Sequence, residues 1–270
     1  MTDQKRHVSA TLEARLTGAQ RLELQLALPT LPGLAVDERL SVLLDGKPVE
    51  PLEVVTDHGN RVHVLDGADG QLSVSYTATA VGRAEPVELT EADRITYARP
   101  SRYAESDRLL GFAHRQFDTH VPREALALDV SSWVGSRLSY MPGSSGPTDG
   151  ATDTLMTGAG VCRDYAHLVV ALLRALDVPA RLVAVYAPGC DPMDFHAVTE
   201  VAVDGRWLAL DATCLAPRQS MLRISTGRDA ADTAFLTNFG GGLVLESSVV
   251  TAVVDGDLPR DDTRTVEQLG

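Results

Sequence analysis

Alternation of apolar and polar residues dominates the first third of the chain. Apolar side chains occupy every second position in three stretches, 8–16, 22–28 and 72–78. This period of two is typical of β-strands with one buried face. Asp45-Gly46 and Asp69-Gly70 are dipeptides that favour two-residue hairpin turns. The pattern predicts an antiparallel β-sandwich-like domain over residues 1–85, followed by a polar connection up to about residue 100.

From Ser106 onward the apolar spacing becomes helical. We expect helices over 107–117, 123–138 and 162–177, a surface loop at 140–150 and a helical turn at 229–235. The expected strands are 180–187, 196–203, 206–213 and 243–254. The fold class is therefore α+β, with helices packed on an antiparallel sheet in a second domain, residues 86–254. Residues 255–270 are predicted to be a polar, frayed tail.

Composition narrows the function classes. The 270 residues are 44% apolar and 23% charged, as in an ordinary globular protein. A net charge of −13 argues against a nucleic-acid partner, because phosphates would be repelled. The sequence contains no stretch of about 18 apolar residues, the length that a membrane span needs, and its polar start lacks the pattern of a signal peptide. Three cysteines without framework spacing favour a reducing, cytoplasmic location. The oligomeric state is left open.

Cys162 is the first candidate for chemistry. It follows the flexible Gly158-Ala159-Gly160 turn and begins the helix predicted over 162–177. Apolar residues at 162, 166, 169, 173 and 176 form one helical stripe, so the thiol faces the protein interior. The N–H groups and dipole at a helix start favour an anion, which suits a reactive thiolate. Cys190 and Cys214 have no such setting and are interpreted as small buried residues.

A hairpin downstream supplies two partners. If Asp204-Gly205 is a two-residue turn, Val203 pairs with Arg206, Val198 faces Asp211 and His196 faces Thr213. His196 and Asp211 then share one face of the sheet as diagonal neighbours. A carboxylate there would orient the imidazole as the third member of a triad. A register error of one residue would place the two on opposite faces.

These residues resemble motifs of the transglutaminase-like superfamily. The motifs are Gly160-Val161-Cys162 at a helix start, His196-Ala197 at a strand start, and Trp207 through Asp211-Ala212-Thr213 at a strand end. Further likeness to bacterial members lies in 96–103, in Tyr140 with its glycine and serine loop, and in 223–232. The resemblance covers about residues 90–240.

The resemblance implies a papain-like core and acyl-enzyme chemistry. By motif position, Cys162 would be the nucleophile, His196 the base and then acid, and Asp211 the orienting group. His196 follows Cys162 by 34 residues, whereas the histidine of papain proper lies roughly 130 residues or more downstream. We therefore expect a relative of transglutaminases rather than of papain itself.

Further candidates surround the predicted nucleophile. An oxyanion needs two donors, for which we expect the Cys162 backbone N–H and a group from the Tyr140–Ser145 loop, including Tyr140 and Ser144. Tyr165 is a further candidate for substrate binding. Aromatic residues that could line an amine pocket are Tyr140, Tyr165, Phe195 and Trp207.

A metal site and purely structural roles are alternative interpretations for several residues. A zinc site from Cys190, Asp194, His196 and Cys214 has unusual spacing, and no calcium-ligand pattern is present, so we expect no metal and no cofactor. His167 is expected to pair with Asp164 or face solvent, and His58 and His63 to lie on the surface. Arg223, Arg228, Asp229 and Asp232 are interpreted as a structural ion-pair network.

The function expected from the sequence is a thiol enzyme acting on an amide or peptide substrate. Hydrolysis is favoured over transamidation, because few aromatic residues are available to build an amine pocket. A catalytically silent peptide-binding module is the alternative from another class.

Overall fold

The computed structural model describes residues 4–270. In chain order the strands are β1 (Lys5–Leu24), β2 (Leu34–Leu44), β3 (Lys47–Pro48), β4 (Leu52–Val55), β5 (Arg61–Gly82), β6 (Ser139–Tyr140), β7 (Ala159–Gly160), β8 (Ala180–Tyr186), β9 (His196–Val203), β10 (Arg206–Leu210), β11 (Leu222–Gly227), β12 (Leu236–Phe239) and β13 (Gly242–Val254). The helices are α1 (Glu91–Thr96), α2 (Ser106–Gln116), α3 (Arg123–Arg137), α4 (Ala151–Thr157), α5 (Cys162–Ala175) and α6 (Ala230–Thr233). The antiparallel sheets and the helices confirm the α+β class.

The N-terminal strands belong to one seven-stranded antiparallel sheet. β1 pairs with β5 along nearly its whole length, from Lys5↔Val81 to Leu24↔His63, and β2 pairs with the outer edge of β5. Asp45 and Gly46 have φ of 50° and 73°, as the predicted turn between β2 and β3 requires. The second predicted turn, Asp69-Gly70, is wrong. β5 runs through it, because an irregularity opposite Leu16 and Ala19 absorbs the glycine without reversing the chain.

A second layer covers the apolar face of this sheet. The four-stranded sheet, in the order β10-β9-β8-β11, contributes Tyr186, Leu222 and Ile224 to the same apolar core. The partner layer is thus supplied in part by the central sheet rather than by the N-terminal strands alone. The opposite face of the central sheet is covered by α5 and α3, and α2 and α4 pack on α5.

Helix α5 lies at the centre of the fold. Every residue from Asp164 to Ala175 is buried, because β8 and β9 cover one side while other helices cover the rest. The predicted helices over 107–117, 123–138 and 162–177 agree with α2, α3 and α5 to within two residues at each end. No helix in the part of the chain described here is long and apolar enough to span a membrane.

The register predicted for the central hairpin is confirmed. Val203 pairs with Arg206, and the pairing continues as far as Thr199↔Leu210. Asp204 and Gly205 both have positive φ, 48° and 77°, which a tight hairpin turn needs. β10 ends at Leu210, so Asp211 follows directly after the strand rather than lying within it.

The C-terminal segments differ from expectation. β12 and β13 pair with β1 and so lie in the N-terminal sheet, although 86–254 was assigned to one domain. The prediction of a frayed tail over residues 255–270 is wrong. Leu269 is buried, the Ala209 N–H donates to the Glu267 carbonyl at 2.7 Å, and Arg218 pairs with Asp261 at 2.7 Å. The division into domains at residues 85 and 254 remains a prediction.

Three histidines also depart from the predicted positions. His167 is fully buried, stacks on Tyr103 and accepts the Ala230 N–H at 3.1 Å, and burial lowers its pKa to about 4. It neither pairs with Asp164 nor faces solvent. His63 is buried, and His58 is only 18% exposed at its side chain. Tertiary packing removes all three from the surface.

A buried carboxylate between two arginines braces the central sheet. Glu200 on β9 contacts the Arg181 Nη2 at 2.7 Å, and its other oxygen contacts Arg223 on β11. The Arg181 guanidinium lies 3.8 Å from the Trp207 ring centroid. Arg223 was expected in a network with Arg228, Asp229 and Asp232, but of that set the structure pairs Arg228 with Asp232. Glu200 and Arg181 are not among the residues predicted from the sequence.

Glu200→Gln tests this brace. Burial alone would raise the pKa of Glu200, but the two guanidinium groups lower it from 4.5 to about 2. A depressed carboxyl pKa contributes stability above pH 4.5 that is lost as the pH falls through 2, here about 3 kcal/mol. At pH 7 we expect the substitution to cost roughly 3–5 kcal/mol in urea unfolding, since it leaves a buried arginine charge unbalanced.

The matched control is Glu91→Gln. Glu91 pairs with Arg94 at 3.6 Å, with its side chain 80% exposed, so its loss should cost below about 1 kcal/mol. The acid-dependent loss of stability should shrink in the Glu200 variant and persist in the control. Equal effects of both substitutions would contradict a special role for the buried carboxylate.

Candidate active site

Cys162 is the first residue of α5, as predicted. Val161 is the N-cap, and its N–H donates to the Asp164 side chain at 2.8 Å. The thiol is half-buried, whereas Cys190 is buried and Cys214 is exposed. The Cys162 Sγ lies 3.8 Å from the carbonyl oxygen of Phe195, the residue directly before His196. The helix start therefore presents its thiol at the beginning of β9.

The glycine before Val161 has a steric reason. A Cβ on Gly160 would lie 2.6 Å from the Cβ of Asp164, too close for any side chain. The short strand β7 pairs in parallel with β6, so that Tyr140 lies opposite Gly160. This pair brings the Tyr140 loop against the segment that leads into the thiol.

His196 and Asp211 meet as the hairpin register predicts. The His196 Nε2 lies 2.9 Å from the Asp211 Oδ2, and both residues are buried. The second carboxylate oxygen accepts the Thr213 backbone N–H at 2.9 Å and the Thr213 hydroxyl at 2.6 Å. Thr213 thus fixes the orientation of the carboxylate, which gives the Asp-x-Thr motif its physical basis.

The electrostatics of this pair keep the histidine protonated. Burial alone would lower the pKa of His196, but the Asp211 carboxylate and a hydrogen bond with Cys162 raise it well above its ordinary value. Burial would raise the pKa of Asp211, yet His196 and Thr213 lower it overall. With Nε2 engaged by Asp211, the ring nitrogen left for the thiol is Nδ1.

Tyr140 lies beside the thiol. Its side chain is 36% exposed, and its ring is 6.0 Å from that of Tyr165. Burial and the neighbouring Cys162 thiol raise the pKa of Tyr140, while the backbone N–H of Cys162 acts against that rise. The Tyr140 hydroxyl therefore lies near the Cys162 backbone N–H, the other predicted oxyanion donor.

The other two predicted oxyanion or substrate-binding residues are occupied elsewhere. The Ser144 hydroxyl donates to the Met141 carbonyl at 2.7 Å and closes a turn. Tyr165 is buried on α5, and its hydroxyl donates to the Leu138 carbonyl at 2.8 Å. Neither hydroxyl is free to donate to a substrate in this arrangement, because local backbone acceptors engage both. These contacts argue against the roles predicted for Ser144 and Tyr165.

The loop around Tyr140 is anchored by side-chain contacts from the start of α5 that were not predicted from the sequence. Arg163 on α5 donates to the Gly146 carbonyl at 2.8 Å and to the Ser145 hydroxyl at 3.2 Å. Ser145 in turn donates to the fully buried Asp164. The only signal in the sequence is the Arg-Asp pair directly after the cysteine, and its partners lie in a loop without periodicity.

The remaining cysteines do not form a metal centre. Burial raises the pKa of both Cys190 and Cys214. Among residues 4–270, no group of three or more His, Cys, Asp or Glu side chains is arranged to hold a metal ion. His196, one of the four ligands considered, is instead engaged by Asp211.

A helix that presents a cysteine to an antiparallel sheet carrying His and Asp is the arrangement of papain-like proteins. Residues 111–212, which contain all three side chains, match the model of the transglutaminase-like superfamily. The chain belongs to the transglutaminase-like superfamily.

A solved structure supports this fold over the whole chain. A candidate cysteine protease from Cytophaga hutchinsonii is 30% identical, with a TM-score of 0.87, over 100% of this chain and 98% of that one. An uncharacterised protein of Mycobacterium leprae is 28% identical over 153 residues, 53% of this chain and 54% of the relative. An uncharacterised protein of Mycobacterium tuberculosis strain H37Rv is 30% identical over 207 residues, 70% of this chain and 58% of the relative. The chain thus spans little more than half the length of these mycobacterial relatives.

Asp211→Asn tests the electrostatic role of the carboxylate. Asp211 raises the pKa of His196, so the active, protonated imidazole should persist to high pH in the wild type. Its neutralisation should move the alkaline limb of the kcat/KM profile to lower pH. It should also reduce kcat by about 10²–10⁴-fold through the wrong histidine tautomer.

Asp204→Asn at the tip of the same hairpin is the control, and both limbs should stay in place there. The measurement is a pH–rate profile for the hydrolysis of fluorescent casein, together with thermal unfolding to verify folding. An Asp211 variant with an unchanged alkaline limb and kcat would remove this residue from the mechanism.

Proposed function

We propose that the protein is a thiol-dependent acyl-transfer enzyme that hydrolyses amide or peptide bonds. The observation that carries the proposal is the position of Cys162 at a helix start facing a buried histidine, whose other nitrogen is 2.9 Å from Asp211. The similar structure from Cytophaga hutchinsonii, named as a candidate cysteine protease, supports a peptidase within this class.

The proposed first half-reaction forms an acyl-enzyme. With its proton held on the His196 Nδ1, the Cys162 sulfur attacks the substrate carbonyl carbon. The resulting oxyanion accepts hydrogen bonds from the Cys162 N–H and the Tyr140 hydroxyl. His196 then gives its proton to the leaving nitrogen, the C–N bond breaks, and an amine or ammonia departs.

The second half-reaction releases the acyl group from sulfur. Water attacks the thioester carbonyl while His196 accepts its proton. The C–S bond then breaks, the proton stays on the His196 Nδ1, and a carboxylic acid is released. Asp211 stays ionised throughout and holds the imidazole orientation, as its lowered pKa favours.

Water rather than an amine is the proposed acceptor. Transamidation needs a pocket that lets an amine compete with water at about 55 M. Of the four aromatic candidates for such a pocket, Tyr165 and Trp207 are buried in the core. Phe195 stacks on Phe235 at 4.6 Å, so Tyr140 alone among them offers a substantially exposed ring. The accessible apolar surface is small for a dedicated amine site.

The test compares hydrolysis and amine incorporation directly. The protein is incubated with fluorescent casein and with a dansylated primary amine, and peptide release and amine attachment are measured together. We expect peptide release to exceed amine attachment, and Cys162→Ala to abolish both. Cys214→Ala is the matched control, since this exposed thiol lies outside the proposed mechanism. Cys162-dependent attachment exceeding hydrolysis would instead establish a transamidase.

Thiol labelling separates the enzyme from a silent binding module. A cysteine paired with a protonated histidine should react with iodoacetamide at pH 6 faster than an exposed one without such a partner. We expect peptide mapping to find Cys162 labelled before Cys214. If Cys214 is labelled first and casein stays intact, the protein is a binding module rather than an enzyme.

Tyr140→Phe tests the second oxyanion donor. Removing a donor used only in the transition state should lower kcat by about 10²-fold and leave KM nearly unchanged. Tyr103→Phe is the control, because Tyr103 stacks on His167 away from the thiol. An equal loss in both variants, or a rise in KM alone, would assign Tyr140 to packing or substrate binding instead.

A further inference from the structure

A second cleft lies away from the proposed active site. It has a volume of about 770 Å³ and is bounded by β1, the turn before β5, α1 and the segment after β11. We call it the α1 cleft, defined by Glu23, Gln25, His58, Asp93, Tyr97 and Asp232. None of Cys162, His196 and Asp211 lines it. On the antiparallel pair β8–β9, His196 lies opposite Val185, whereas Arg181, the neighbour of His58, lies opposite Glu200.

The lining of this cleft is strongly acidic. Its carboxylates are Glu23, Asp57, Glu88, Asp93 and Asp232, against the single guanidinium of Arg228. Arg228 is already paired with Asp232 at 2.9 Å. Burial and the nearby Arg181 lower the pKa of His58, so this histidine adds no positive charge near neutral pH. Glu23 is likewise paired with Arg21 at 2.7 Å. The carboxylates left without a cationic partner give this wall a negative field, which favours a cationic ligand.

Two of the carboxylates have no protein cation as a partner. Asp57 and Glu88 are exposed, and neither forms an ion pair within residues 4–270. They lie on the turn before β5 and on the connection before α1, so they approach the cleft from different elements. A cation between them would be held by both parts of the chain.

A buried acceptor in the wall is also unsatisfied. Gln25 lines the cleft and is only 8% exposed. Its Nε2 donates to the carbonyls of Asp232 and Ala234, while its Oε1 has no donor in the described part of the structure. A buried acceptor without a partner is costly, so a donor entering from the cleft would be stabilised there.

Part of the wall is apolar, and the turn that carries His58 is held in place. Val62, Val87 and Phe239 line the cleft beside the acidic groups. The His58 Nε2 is 2.8 Å from the Tyr97 hydroxyl, which ties the N-terminal sheet to α1. His58 keeps φ at 61°, a conformation that costs free energy in a residue with a Cβ. Rigid apolar surface next to carboxylates suits an alkyl chain that ends in a charged nitrogen.

We propose that the α1 cleft binds an organic cation, a primary amine or guanidinium on an alkyl stem. The nitrogen lies between the Asp57 and Glu88 carboxylates, and the stem packs on Val87 and Phe239. The two sources of this chemistry are a lysine or arginine side chain of a peptide and a free polyamine. The residues that line the cleft recognise the shared cationic stem, and the experiment distinguishes the sources.

The experiment is calorimetric titration of the full chain. Three probes are used: spermidine, an acetylated and amidated Gly-Lys-Gly peptide, and the same peptide with norleucine in place of lysine. We expect saturable binding of at least one cationic probe and none of the norleucine peptide, with affinity falling as salt increases. The tighter of spermidine and the lysine peptide identifies the source.

The Asp57→Asn/Glu88→Gln double variant should weaken that binding by about tenfold. The control Glu50→Gln/Asp204→Asn removes the same two charges from sites outside the cleft and should leave affinity unchanged. Cys162→Ala should bind as the wild type does, so failure of the proposed catalytic function would not affect this result. No saturable binding of either cation, equal binding of the norleucine peptide, or equal loss in both double variants would overturn the proposal.

Discussion

The burial of α5 against β8 and β9 is the constraint on which the site depends. A helix buried on all sides has one orientation and one axial position, because core side chains pack at crystal-like density. The Thr199 hydroxyl on β9 also donates to the Ala166 carbonyl on α5 at 3.3 Å. The helix start and the first residue of β9 are therefore fixed relative to each other. Cys162 and His196 therefore come together because α5 packs against β8 and β9 away from these two side chains.

The same sheet uses two buried carboxylates in opposite ways. Glu200 has both oxygens engaged by Arg181 and Arg223, which hold it ionised and leave no acceptor for a substrate. One Asp211 oxygen accepts hydrogen bonds from Thr213, and the other contacts the His196 imidazole, a group that can gain or lose a proton. Only the second arrangement can respond to a reaction. Burial and a perturbed pKa alone would not distinguish the two residues, but the identity of the partner does.

Local sequence patterns predicted the turns and the strand register that neighbouring residues determine. The Asp204-Gly205 turn fixes the hairpin register, and period-two side chains then bring His196 and Asp211 to one face. Asp69-Gly70 carries the same dipeptide signal but lies inside β5, where continuous pairing with β1 overrides the turn. His167 was expected to bind a neighbour on its own helix, yet Tyr103 and Ala230 from distant segments engage it. Contacts between segments far apart in sequence leave no periodic signal.

The separation between the thiol and the α1 cleft limits how one can affect the other. Glu200 lies four residues along β9 from His196, about 13 Å in an extended strand. This exceeds the Debye length of about 8–10 Å at ordinary ionic strength. Buried groups between the two are screened less, but Glu200 there is already paired with two guanidinium groups. A cation in the cleft would therefore change the proton affinity of His196 little. Its effect would lie in which molecules the protein holds, while the chemistry proposed at Cys162 depends on Asp211.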